Sequence, residues 1–128
     1  IPAVIRKIHD AKIDGLESVD IWGDGTARRE FMYAGDLASM IWDLIRKFDL
    51  MPELMNLGLG YDFTINEYYK AVAQVIGYHG TFTHDLTKPV GMQQKLVDIS
   101  RQQNMGLKPS HSLEEGIAET YKFYLNEL

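Results

Sequence analysis

Val19-Asp20-Ile21-Trp22-Gly23-Asp24-Gly25-Thr26-Ala27-Arg28-Arg29-Glu30-Phe31-Met32-Tyr33 is the stretch on which the fold turns. Val19 to Trp22 alternates in the manner of a half-buried strand. Gly23 to Thr26 is a turn cluster, and a second short strand is expected from Arg29 to Tyr33. Beyond it Leu37, Ile41, Leu44, Ile45 and Phe48 recur at helical spacing, and Pro52 closes that pattern. Before it, Ile1, Val4, Ile5 and Ile8 share one helical face, with Pro2 in the first turn, where its missing N–H costs nothing. That first helix should fade between Asp10 and Gly15.

Further along, Met55 to Gly58 reads as a short apolar strand. Thr64 and Glu67 have capping-box spacing and start a helix whose apolar face is Ile65, Tyr68, Tyr69, Val72 and Ile76, stopped by Gly77. Thr81 to His84 is a strand candidate, and residues 85–94 read as loop. Lys95 to Val97 reads as a further short strand, and a brief helix runs from Ser100 to Met105. Ser112 and Glu115 repeat the capping box, and Leu113, Ile117, Tyr121, Tyr124 and Leu128 stripe the last helix. The order α-β-β-α-β-α-β-(β)-α-α makes this a small mixed α/β domain with short strands, too few for a doubly wound sheet.

The 128 residues suffice for one core, and one domain over 1–128 is expected. No cysteine is present, which excludes disulfides, Cys-ligated zinc and a thiol nucleophile, and suits the cytosol. The net charge of −5 argues against a general nucleic-acid binder. No apolar run is long enough to span a bilayer. The chain opens Ile1-Pro2-Ala3-Val4, with neither an initiator Met nor a signal-peptide pattern, so a piece of a longer protein is expected.

Local patterns supply no catalytic set. Gly58 and Gly60 begin a dinucleotide fingerprint, but Phe63 stands where its third glycine belongs. His9, His79, His84 and His111 lack zinc-helix spacing, and Trp22 occupies an oxygen-ligand position of the calcium-loop pattern that starts at Asp20. No tyrosine has a lysine four residues on. What remains is a set of cations in unusual settings. Arg29 follows the glycine turn and precedes apolar residues, where a guanidinium can grip a phosphate with two donors. Lys95 lies between a Pro/Gly loop and Leu96-Val97, Lys7 sits away from the apolar face of the first helix, and Trp22 can lie beside a base or sugar ring. On composition alone each also reads as an ordinary surface or partly buried residue.

Trp22-Gly23-Asp24-Gly25-Thr26-Ala27-Arg28-Arg29-Glu30-Phe31 resembles a motif of the GDP-L-fucose synthases, a family of extended short-chain dehydrogenase/reductases. The likeness continues through Asp36-Leu37-Ala38, Asn56 to Gly60, Thr64 to Glu67, Val75 to Tyr78, Lys88 to Asp98 and Ser112 to Ile117. It covers nearly the whole chain and corresponds to the C-terminal, substrate-binding part of that fold. The resemblance implies an NADPH-dependent enzyme that epimerises a GDP-4-keto-6-deoxy-mannose at C3 and C5 and then reduces C4. Its cofactor loop and reacting residues would precede Ile1, so the isolated piece is expected to be inactive and to bind no cofactor itself. It further implies that Trp22, Arg29, Lys95 and Lys7 hold the nucleotide side of a GDP-sugar, with Val4 and Ile21 beside the guanine. Lys7 stands where the family often has Arg, keeping the charge without the fork. A cytoplasmic homodimer acting on no nucleic acid or membrane is implied for the intact enzyme. The alternatives are a related enzyme acting on a GDP-linked deoxy-heptose or another sugar nucleotide, and a non-catalytic nucleotide-sugar binding module.

Overall fold

Helix α1, Pro2–Ile13, turns Ile5, Ile8 and Ala11 inward, and strand β1, Ser18–Trp22, adds Val19 and Ile21 from its inner face. A computed structural model describes residues 1–127 of the chain. Strand β2 is Arg28–Arg29, helix α2 is Ala34–Arg46, and a 3-10 turn follows at Phe48–Leu50. Then come β3, Phe63–Thr64; α3, Ile65–Ile76; β4, Thr81–Asp85; β5, Gln94–Lys95; α4, Ser100–Asn104; and α5, Leu113–Asn126.

The strands form two small sheets. β1 and β4 pair in parallel, Ser18 opposite Thr81 through Trp22 opposite Asp85. β2 lies between β3, antiparallel to it, and β5, parallel to it. The main core joins the inner faces of α1, β1, α3 and α5, with Ile8, Val72, Tyr69, Ile76 and Ile117 at its centre. Each fully buried aliphatic side chain there contributes about 1.5–3 kcal/mol. Both capping boxes form: Thr64 and Ser112 each accept from the backbone N–H three residues on, and Glu67 and Glu115 each reach back to the cap. Gly77 ends α3 at φ 72° in the left-handed region, where a side chain would be strained.

Four expectations are corrected. The strand expected from Arg29 to Tyr33 is limited to Arg28–Arg29, because Tyr33 leaves the sheet to start α2. Met55 to Gly58 is not a strand, since the Gln102 side chain takes both the N–H (2.8 Å) and the C=O (3.0 Å) of Gly58. The strand expected at Lys95 to Val97 is instead Gln94–Lys95, because the Val97 N–H is taken by the Glu30 carboxylate rather than by a strand. Most of the helical stripe of α2 faces away from the protein: Leu44 alone of that stripe is buried, together with Asp36 and Met40, whereas Leu37, Ile41 and Ile45, with Trp42 and with Phe48 in the following 3-10 turn, face out. Leu128, assigned to the last stripe, lies outside the described residues.

Gly25 locks the turn between β1 and β2. It has φ 70°, and a Cβ there would collide with the Asn66 side chain, which donates to the Asp24 carbonyl (3.2 Å) and meets His84 Nε2 (2.8 Å). Gly25→Ala should therefore cost about 2 kcal/mol through left-handed strain and the displaced amide. Urea titration at pH 7 measures it, and an unchanged midpoint would contradict this account of the turn.

Candidate functional site

The site is built on the edge where β2 meets β5. Arg29 lies opposite Lys95 in the parallel register, so the two side chains leave the same face of the sheet. Among the described residues no carboxylate forms an ion pair with either. Arg29 donates through Nη1 to the Arg28 carbonyl (2.6 Å), and its Nη2 lies close to Gly91, where a Cβ would approach to 3.6 Å. Three contacts fix this strand. Buried Tyr68 donates from its hydroxyl to the Arg29 carbonyl (2.8 Å) and accepts from the Phe31 N–H (3.2 Å). Burial pushes that phenol up to about 12, so it remains a donor throughout the physiological range. Glu30 accepts from the N–H groups of Gly60 (2.8 Å), Val97 (3.0 Å) and Leu59. Asp62 grips Arg28 and Gln94 on the far face. Hydrogen bonding by Gln94 first, and by Arg28 after the opposing effect of burial, holds its carboxyl below the usual range.

The loop from Asp85 to Gln93 carries the site across to β1. Gly23 donates to the Asp85 carbonyl (2.9 Å), and Val90 packs where a Gly23 side chain would stand. Asp85 Oδ1 accepts from the Thr87 N–H (3.0 Å) and hydroxyl, fixing the start of the loop. Trp22 is 64% exposed, and Lys88 Nζ lies 5.4 Å from its ring centroid. That places a cation on the indole face. Lys88, which was not selected from the sequence, thus joins Trp22; only its place in the Pro/Gly loop hinted at this.

Lys7 reaches this region from α1, but its charge is already engaged. Its Nζ is 2.8 Å from Asp20 Oδ1 and donates to the Asp20 carbonyl (2.6 Å), on the same outer face of β1 as Trp22. Val4 is half-buried and packs against the core. Ile21 faces the opposite way from Trp22 and is 1% exposed, so it offers a ligand no surface in this arrangement. Alternation along β1 decides that: if Trp22 faces out, Ile21 faces in.

The Gly58-Leu59-Gly60 run cannot cradle a dinucleotide's pyrophosphate. Its N–H groups are committed to Gln102 and Glu30, so none is left to donate. Among the described residues no cluster of His, Asp and Glu could hold a metal ion, and no helix is long and apolar enough to cross a membrane.

Residues 1–58 match the NAD dependent epimerase/dehydratase family. Along 99% of its length the chain is 52% identical to the GDP-L-colitose synthase of Yersinia pseudotuberculosis, covering 41% of that protein. Along 98% it is 51% identical to the GDP-L-fucose synthase of Azorhizobium caulinodans, covering 40%. The chain is a homologue of part of these proteins. Its fold is likewise that of part of an extended short-chain dehydrogenase/reductase. It superposes on the GDP-mannoheptose C4 reductase of Campylobacter jejuni, solved with NADP bound, with a TM-score of 0.83 at 30% identity, covering 97% of this chain and 44% of that one. A GDP-6-OMe-4-keto-L-xylo-heptose reductase from the same organism gives a TM-score of 0.87 at 26% identity, covering 99% and 47%. The chain thus spans about two fifths of the length of the curated relatives it matches.

Proposed function

We propose that residues 1–128 form the GDP-sugar-binding domain of an NADPH-dependent epimerase/reductase of the GDP-L-fucose synthase kind. The observation that carries this reading is the in-register pair Arg29 and Lys95, two cations that form no ion pair among the described residues, with the exposed indole of Trp22 at the end of β1 and linked to them by the loop that follows β4. Like charges placed side by side repel, and a diphosphate spanning both relieves that repulsion while taking Arg29's fork. Trp22 lies against the base or ribose, Val4 supplies an apolar neighbour, and Lys7 acts through Asp20. The reacting sugar then projects away from this domain. Remote binding energy of this kind orients a substrate for chemistry performed elsewhere.

NADPH supplies the hydride in such an enzyme, and the committed N–H groups of residues 58–60 leave its binding to another part of the protein. The outward apolar face of α2 and the turn after it supports a larger parent: Leu37, Ile41, Trp42 and Ile45, with Phe48 beyond them, form a face that a companion domain would cover. The intact protein is proposed to be a cytoplasmic homodimer that uses neither nucleic acid nor membrane.

GDP titration followed by calorimetry or amide chemical shifts tests the site. Binding is expected to be weak in this domain alone, and Arg29→Ala should reduce it roughly tenfold, the loss of one charge-assisted phosphate contact. Lys7→Ala should change it less than threefold, because Asp20 already neutralises that ammonium. Equal losses in the two variants would remove the basis for the assignment. The likeness to heptose reductases favours one second reading, a GDP-linked deoxy-heptose as substrate. Turnover by the full-length protein on GDP-4-keto-6-deoxy-mannose against a GDP-4-keto-heptose distinguishes the two, and turnover by residues 1–128 alone would overturn the placement of the chemistry elsewhere.

A further inference from the structure

β2 and β5 are each two residues long, too short for backbone bonds alone to hold their register. Their pairing places Arg28 beside Gln94 and Arg29 beside Lys95. Buried Asp62, immediately before β3, takes one side chain from each strand. Its Oδ1 accepts from Arg28 Nε (2.6 Å) and its Oδ2 from Gln94 Nε2 (2.6 Å), while its carbonyl accepts from Arg28 Nη2 (2.8 Å). Because successive strand residues face opposite ways, gripping Arg28 and Gln94 from below leaves Arg29 and Lys95 together above. The same carboxylate neutralises Arg28 and lies on the wrong face to neutralise the other two.

We infer that Asp62 is a positioning residue for diphosphate binding, holding the Arg29 and Lys95 side chains in register and leaving both charges free for the ligand. The inference rests on the proposed reading of the site as a GDP-sugar platform. Asp62 touches no ligand in this scheme. It acts only through Arg28 and Gln94, and it opposes the mutual repulsion of the two cations before the ligand arrives. A slip of one residue in β5 would turn Lys95 to the other face and split the pair.

Two arms test it on the 128-residue chain. The chain lacks cysteine, so Arg29→Cys with Lys95→Cys introduces the sole thiols, on register neighbours whose spacing suits a disulfide. Oxidised glutathione should close that bridge readily, and adding Asp62→Ala should slow closure about tenfold. Undiminished closure would overturn the positioning role. In the second arm GDP and GMP are titrated against the chain with Arg29 and Lys95 intact. Asp62→Asn keeps the shape and guards against simple unfolding, which circular dichroism monitors. Its GDP affinity should fall about tenfold and its GMP affinity about twofold, narrowing the preference for a second phosphate. Equal losses for both ligands would mean that Asp62 serves stability alone. If GDP binding is indifferent to Arg29→Ala as well, the diphosphate reading fails, while the disulfide arm still judges the register.

Discussion

Asp36→Ala should lower the unfolding free energy by about 4 kcal/mol, the largest effect expected of any single polar substitution in this chain. Asp36 is 3% exposed in the first turn of α2, yet it carries a charge. Its Oδ1 accepts from the Ser110 hydroxyl (2.6 Å) and pairs with His111 Nδ1 (2.8 Å), and its Oδ2 accepts from the His111 N–H (3.1 Å). These bonds tie the start of α2 to the segment that caps α5. Burial alone would raise its pKa, but the hydrogen bonds from Ser110 and His111 outweigh burial and bring it to about 2. Against the usual 3.8, that corresponds to about 2 kcal/mol of stability. A lowered carboxyl pKa gives stability that is complete above pH 3.8 and lost as pH falls through 2. His111 runs the other way: the Asp36 hydrogen bond raises its pKa above 6.5, against the opposing effect of burial. Its share is complete below pH 6.5 and lost as pH rises through the raised value. The clasp is therefore strongest between about pH 4 and 6.5. Urea midpoints measured across pH 2 to 9 should show a plateau there, flattened in Asp36→Ala. A variant whose profile parallels the parent would show that the clasp contributes nothing.

Gln102→Met should cost about 3 kcal/mol although side-chain size is nearly conserved. Gln102 is 1% exposed on α4, and its amide satisfies both backbone groups of buried Gly58 as a neighbouring strand would. Methionine keeps the packing and leaves an N–H and a C=O without partners, each costing roughly 1–3 kcal/mol. Leu59 and Gly60 follow directly, so their bonds to Glu30 should loosen too. Thermal unfolding gives the stability change, and amide exchange at Leu59 and Gly60 gives the local one. A drop below about 1 kcal/mol would mean that water replaces the amide.

That substitution also shows where the sequence stops being readable. Met55 to Gly58 has the composition of a strand, and its backbone does seek partners, but it finds a side chain forty-four residues away that no local pattern announces. The helices were legible because their signals are local: two capping boxes, Gly77, and the 3.6-residue period of α1, α3 and α5. α2 was legible as a helix, whereas the direction of its apolar side was not. Periodicity finds an apolar stripe without saying what covers it, and Asp36, a charge on the inward side, holds the opposite face against the core. The site divided in the same way. Arg29, Lys95 and Trp22 stood out through their neighbours and through family likeness, and the fold sets Arg29 and Lys95 side by side in register. Lys7 stood out in the same way, and the fold adds what the sequence does not reveal, that Asp20 meets its ammonium. Asp62 had no distinguishing pattern and Lys88 only its place in the Pro/Gly loop, since their partners are brought by register and loop path.

The three-stranded sheet has a consequence for how this surface moves. β2, β3 and β5 contribute two residues each, and one carboxylate links the strands. The strands are expected to open together, so amide exchange at residues 28 and 65, whose N–H groups bond across the sheet to the Gln93 and Ala27 carbonyls, should proceed at a common rate set by one shared opening. An anion that bridges Arg29 and Lys95 would then slow exchange across all three strands, including residues it never touches.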